Sequence, residues 1–96
     1  MKYDSEEIGK RIREIREFLG YTRENLSISS QISTKYLYEI EMGKCDFSAA
    51  ILYRISNKLG VSINCIICGI YDDNYKNEKI VKDYLKLLKL KEDNKF

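Results

Sequence analysis

Residues 22–44 read TRENLSISSQISTKYLYEIEMGK, and this stretch decides the fold. Thr22 stands where a helix N-cap should, its hydroxyl available to the free amides of a first turn, and the helix it opens runs to about Ser29 with Leu26 facing inward. Ser33 repeats the signal eleven residues on. It opens a second helix whose inward residues are Leu37 and Ile40 and which Gly43 stops, glycine being the residue that most readily takes the left-handed conformation past a helix end. The segment is thus two short helices joined by a tight polar turn.

The same signals continue outward in both directions. Upstream, Asp4 and Glu7 have the spacing of a capping box, and Ile8, Ile12, Ile15 and Leu19 recur at three- and four-residue steps before Gly20. Downstream, a helix from about Ser48 to Leu59 turns Leu52, Ile55 and Leu59 inward and ends at Gly60. A short helix follows from Ser62 to Cys68, then a connecting loop from Gly69 to Asn74. A last helix spans roughly Tyr75 to Lys91. On its wheel Ile80, Val81, Tyr84, Leu85, Leu87 and Leu88 fall on one side, and Lys79, Lys82, Asp83, Lys86 and Lys89 on the other. No segment alternates with period two, and the chain contains no proline. The expected fold is all-α, a bundle of five helices with one more appended.

Ninety-six residues, 44% hydrophobic and 33% charged, describe one small globular domain rather than a disordered chain. No apolar run approaches a membrane span. The first ten residues, MKYDSEEIGK, lack the hydrophobic core of a secretory signal, so a cytoplasmic protein is expected. Three cysteines without a second CxxC make no disulfide framework, which fits that expectation. Charge argues little: residues 1–47 hold eight Lys and Arg against nine Asp and Glu. The pI of about 8.4 is below what many nucleic-acid-binding domains show.

Two helices in this layout make a helix-turn-helix, a device for placing the second helix in the major groove of double-stranded DNA. Thr34, Lys35, Tyr38 and Glu39 point away from Leu37 and Ile40, with Tyr36 on the border. Lys donates to guanine O6 and N7, Glu accepts from cytosine N4, and Thr does either or meets a thymine methyl; any solvated helix would show a similar mixture. Around that face, Ser33 and the free amides at the starts of both helices suit phosphate oxygens. Arg23 lies in a first turn, where the helix dipole disfavours a cation unless an anion is near. Lys44, just past the second helix, is within reach of a flanking phosphate.

The run IGKRIREIREFLGYTRENLSISSQISTKYLYEIEMGK, followed by ILYRISNKLGVSINCII, resembles the phage-repressor-like helix-turn-helix family, also called the XRE or Cro type. The resemblance covers about Ile8 to Gly69. It rests on Arg16 in helix 1, Leu26 in helix 2, Ile32-Ser33 before helix 3, the run Tyr36-Leu37-x-x-Ile40-Glu41-x-Gly43, and then Ile55, Leu59, Gly60 and Val61. It implies a five-helix, lambda-repressor-like domain that binds DNA as a dimer and regulates transcription, mostly by repression. By resemblance Thr34, Lys35 and Glu39 occupy base-reading positions and Arg23 a backbone-contacting position; the outward face adds Tyr38 as a base-reading candidate, and Ser33, Tyr36 and Lys44 are candidates for contacting the DNA backbone. Arg16 and Glu41 match a structural ion pair bracing helix 1 against helix 3. The chain departs from the pattern at Gln31, where the turn usually has Gly, and at Phe47, where the loop usually has Pro.

Residues 1–69 are therefore read as the DNA-binding domain and residues 70–96 as an amphipathic extension whose apolar stripe packs on the bundle or, the favoured reading, forms a homodimer interface. Residues 75–91 could instead engage a partner protein, as in an antitoxin-like or regulator-sequestering module. Cys65 and Cys68 form a CxxC, which can signal zinc or redox chemistry. Only Cys45 remains to join them and there is no histidine, so packing as small hydrophobes is the favoured reading, with no metal and no cofactor. No catalytic constellation is visible, and an enzyme is not expected.

Overall fold

The computed structural model describes residues 4–72 and 74–93. It contains six helices: α1 (Ser5–Phe18), α2 (Arg23–Ser30), α3 (Thr34–Glu41), α4 (Ala49–Leu59), α5 (Ile63–Cys68) and α6 (Lys76–Asp93), and the described residues include no strand. None of these helices is long and apolar enough to cross a membrane.

Local chemistry sets the boundaries. The carboxylate of Asp4 accepts from the amides of Glu6 and Glu7 at the start of α1. Thr22, Ser33, Ser48 and Ser62 each accept from the amide three residues on, so α2 to α5 all begin on a hydroxyl cap. At Thr22 the cap is reciprocal: Asn25 returns its side-chain oxygen to the Thr22 amide at 3.2 Å, which makes a capping box that the sequence spacing did not advertise.

The core is the set of apolar residues with helical spacing. Ile8, Ile12 and Ile15 of α1, Leu26 of α2, Leu37 and Ile40 of α3, and Leu52, Ile55 and Leu59 of α4 are all buried, joined by Val61, Cys65, Ile66 and Val81. Burying each large aliphatic side chain is worth about 1.5–3 kcal/mol, so the periodic positions are where the fold draws its stability. Leu19 is only half-buried, packed against the edge of that core.

Two backbone positions fix how α1 meets α3. A Cβ on Gly9 would overlap the carbonyl oxygens of Ile40 and Glu41, so the two helices touch backbone to backbone at that point. At the other end of the contact, Gly43 has φ of +70°, and a Cβ there would come within 2.9 Å of the Glu6 Cα.

The last helix folds back on its own bundle along a narrower line than the wheel implied. Glu78 and Val81 are buried and Leu85 half-buried, whereas Ile80 and Leu87 are exposed, Leu87 by 66%. The seam consists of Glu78 and the residues three and seven beyond it, Val81 and Leu85, and the stripe drawn from the wheel is broader than the groove that receives it. The rings of Phe18 and Tyr84 meet at 4.5 Å between centroids at its edge. Asn77 donates its amide to the carbonyl of Leu59 at 2.9 Å, tying α6 to the end of α4. The outer row of Ile80, Leu87 and Leu90 lies open to solvent.

Candidate nucleic-acid interface

The turn between α2 and α3 is built from the chain's own hydrogen bonds. Gln31 adopts the left-handed conformation at φ of +59°. The amides of Gln31 and Ile32 reach back to the carbonyls of Ile28 and Ser27. Satisfying the last carbonyls of α2 in this way requires positive φ at that residue, and here a glutamine takes it. The side chain is also used, for Gln31 Oε1 accepts from Arg54 Nη1 at 3.0 Å, linking the turn to α4. The Ser27 and Thr34 hydroxyls are 3.2 Å apart, joining α2 to the first turn of α3. Leu26, Leu37 and Ile40 are buried beneath, so the rotation of α3 about its axis is set by packing.

That rotation leaves Thr34, Lys35 and Tyr38 exposed and Glu39 half-buried on the outer side of α3. Ser33 is exposed, with its hydroxyl engaged by the Tyr36 amide. Tyr36 is half-buried. Its phenol donates to the carbonyl of Asp46 at 2.8 Å, so it pins the loop that follows α3. Lys44 is exposed, and its amide donates to the carbonyl of Glu39.

Behind this face lies a buried cluster of charged side chains. The Glu41 carboxylate is fully buried. Arg16 Nε donates to its Oε2 at 2.7 Å and Arg16 Nη2 to its Oε1 at 3.1 Å, the bidentate geometry that suits a guanidinium and a carboxylate. Arg16 Nη1 donates to the carbonyl of Tyr21. A second arginine shares the same acceptor: Arg23 Nε and Nη2 both lie 3.2 Å from Glu41 Oε1. One carboxylate therefore faces two guanidinium groups, and a unit of positive charge is left over beside the start of α2. Arg23 Cζ also lies 5.1 Å from the centroid of the Tyr38 ring, and Lys44 Nζ lies 5.6 Å from it.

Arg16, Arg23, Tyr38, Glu41 and Lys44 thus form one connected patch, with Thr34, Lys35 and Glu39 beside it on α3. The double use of Glu41 carries no sequence signal, because its partners lie 25 and 18 residues away. The bond from Tyr36 to Asp46 is equally silent.

The cysteines lie away from this patch. Cys65 is buried and Cys68 exposed. Burial, and to a lesser degree the nearby Glu78 carboxylate, pushes the Cys65 thiol up to about 12. Burial, followed by the carboxylates of Glu39 and Asp46, also raises the Cys45 thiol. Among the described residues, no three His, Cys, Asp or Glu side chains gather as a metal site would require.

A family profile described as a helix-turn-helix domain matches residues 9–71. The chain belongs to that family. Its relatives among solved structures are of the phage-repressor-like, XRE type. The restriction-modification controller protein C.AhdI from Aeromonas hydrophila superposes with a TM-score of 0.65 at 23% identity, over 67% of this chain and 97% of that one. The clp gene regulator ClgR from Corynebacterium glutamicum gives a TM-score of 0.63 at 29% identity, over 69% of this chain and 86% of its own. A second ClgR structure superposes over 96% of this chain at 24% identity, with a TM-score of 0.63. No curated protein sequence matches the chain.

Proposed function

We propose that the protein is a sequence-specific, DNA-binding transcriptional regulator that acts as a homodimer on a pseudo-palindromic operator, repressing by occupying it. The observation that carries this reading is the fixed presentation of α3. Its outer side offers Thr34, Lys35 and Glu39, flanked by the Arg23 and Lys44 cations. The printed descriptions of C.AhdI as a controller protein and ClgR as a gene regulator agree with it. In this reading Lys35 and Glu39 read base edges in the major groove, with Thr34 beside them. Arg23 and Lys44 hold the phosphates, which fix register and contribute to all sequences alike. Nothing in the reading calls for catalysis or a cofactor.

A dimer would set two α3 helices about 34 Å apart on one face of the duplex. The open row of Ile80, Leu87 and Leu90 on α6 is the apolar surface available for that pairing. A different protein seated on the same row is the rival occupant, and sedimentation of the purified chain alone distinguishes the two.

The deciding experiment is selection of bound duplexes from a random pool, followed by binding measured across a salt series. The expected result is a palindrome and a linear fall of log affinity with log salt. Replacing Lys35 and Glu39 with Ala changes the selected bases. Arg23→Ala weakens binding to every duplex and lowers the salt slope by about one. A wild-type protein with no salt-dependent affinity for any duplex overturns the reading.

A further inference from the structure

We propose that Tyr38 is a positioning residue: its ring holds Arg23 and Lys44 together as a preformed phosphate clamp at the edge of α3, and it does not itself read bases. The inference rests on the DNA-binding reading above and assigns one residue of that face a different task.

The argument begins with where the two cations come from. Arg23 is the first residue of α2 and Lys44 lies beyond the end of α3, so no shared element sets their spacing. Both nevertheless lie over the same ring, at 5.1 and 5.6 Å from its centroid. The negative face of an aromatic ring attracts a cation at such distances. Two like charges brought to one place repel, and Arg23 is further disfavoured by the positive end of the α2 dipole. Two groups offset this: the Tyr38 ring and Glu41.

Glu41 alone is not enough. Its Oε2 is taken by Arg16 and its Oε1 is shared between Arg16 and Arg23. Arg16 and Arg23 share that one carboxylate, and among the described residues neither Arg23 nor Lys44 is ion-paired with any other acid. Glu41 grips Arg23 along its Nε and Nη2 edge, which turns the remaining Nη1 donors away from the carboxylate. Arg23 is 28% exposed at the side chain, so these donors border solvent. A surplus of positive charge with aimed donors, next to the exposed side of α3, is what a phosphate oxygen meets favourably. Long Lys and Arg side chains normally surrender rotamer freedom when they bind. Holding both over a ring beforehand reduces that loss. A ring engaged by two cations is poorly disposed to extend its phenol into a groove.

The test uses the full chain, a duplex selected from the random pool and a scrambled duplex, titrated between about 50 and 200 mM salt. Tyr38→Phe retains the ring and is expected to bind like wild type, with the same preferred sequence. Tyr38→Leu and Tyr38→Gln remove it and are expected to bind both duplexes roughly fivefold more weakly, as loss of two exposed cation–π contacts implies. They should show a shallower salt slope, an unchanged base preference and an unchanged melting temperature. A shifted base preference in Tyr38→Phe overturns the inference, because the hydroxyl would then be reading sequence. So does wild-type affinity in Tyr38→Leu and Tyr38→Gln, or weakening confined to the selected duplex. If wild type itself shows no salt-dependent binding, the DNA-binding reading fails and takes this inference with it. If wild type binds and only the Tyr38 results depart, the inference alone fails.

Discussion

The carboxylate of Glu78 is fully buried against the amide of Ser62, with Oε2 accepting that N–H at 2.8 Å. Its Oε1 accepts from the amide of Asp72 at 3.0 Å and from the Ser62 hydroxyl at 3.3 Å. One acid of a lysine-rich helix therefore closes the start of α5 and ties α6 to the bundle. Glu78→Ala leaves the part-buried amides of Ser62 and Asp72 without their acceptor and is expected to destabilise the domain by about 2 kcal/mol. Glu78→Gln, which keeps one acceptor oxygen, is expected to lose about half as much. Urea unfolding followed by circular dichroism reads both.

The pair between Arg16 and Glu41 gives a sharper test of buried charge. Arg16→Met strands a carboxylate whose only other cation among the described residues is the partly exposed Arg23, and a loss of about 3 kcal/mol is expected. Adding Glu41→Leu to Arg16→Met removes the stranded charge and is expected to recover most of that loss. The same urea measurement on the two single variants and the double variant decides it. Additive losses would mean that the two charges are not coupled.

At Gln31 the backbone is left-handed, φ +59°, with a side chain that must tolerate it. Gln31→Gly relieves that strain and gives up only an exposed hydrogen bond to Arg54. The expected net effect is a stabilisation of about 0.5 kcal/mol, seen as a small rise in melting temperature. Gln31→Val should move the melting temperature the other way, since a β-branched residue resists positive φ.

Alkaline pH should unfold the protein through two groups in the α5 region. Cys65 is raised from 9.0 to about 12 by burial and Glu78, and Tyr71 from 10.0 to about 12 by burial and then Cys65. Folding favours their protonated forms. The stability this supplies is complete below pH 9.0, begins to fall as the unfolded thiol ionises, and is gone by about pH 12. Cys65→Ala should delay the onset to the tyrosine range near pH 10.0. In the native state at neutral pH, a thiol reagent is expected to modify the exposed Cys68 well before Cys65.

The sequence carried those features whose chemistry is local. Each hydroxyl cap is read by an amide three residues on, and each inward residue of α1 to α4 repeats at helical spacing, so Thr22, Ser33, Ser48, Leu26, Leu37 and Ile55 could be placed from the chain alone. The positions that escaped are those whose partner is remote. Nothing in the sequence singles out Glu78, because its acceptor role depends on backbone amides that tertiary folding brings to it. Arg23 reads as a backbone-contacting cation, and nothing in the spacing announces that Glu41 also holds it. The apolar stripe of α6 was visible, but its division between a buried seam and an open row depends on the width of a groove made by other helices.

The backbone contact at Gly9 has a consequence for control. Where α1 lies against the carbonyls of Ile40 and Glu41 with no side chain between them, there is no soft layer for α3 to slide on. The helix cannot be re-aimed within one copy without parting α1 from α3 and opening the core they share. If the protein is the regulator proposed above, a signal that silences it has little to gain from bending α3. In the proposed homodimer, the spacing between two such rigid units is the variable left for a signal to act on.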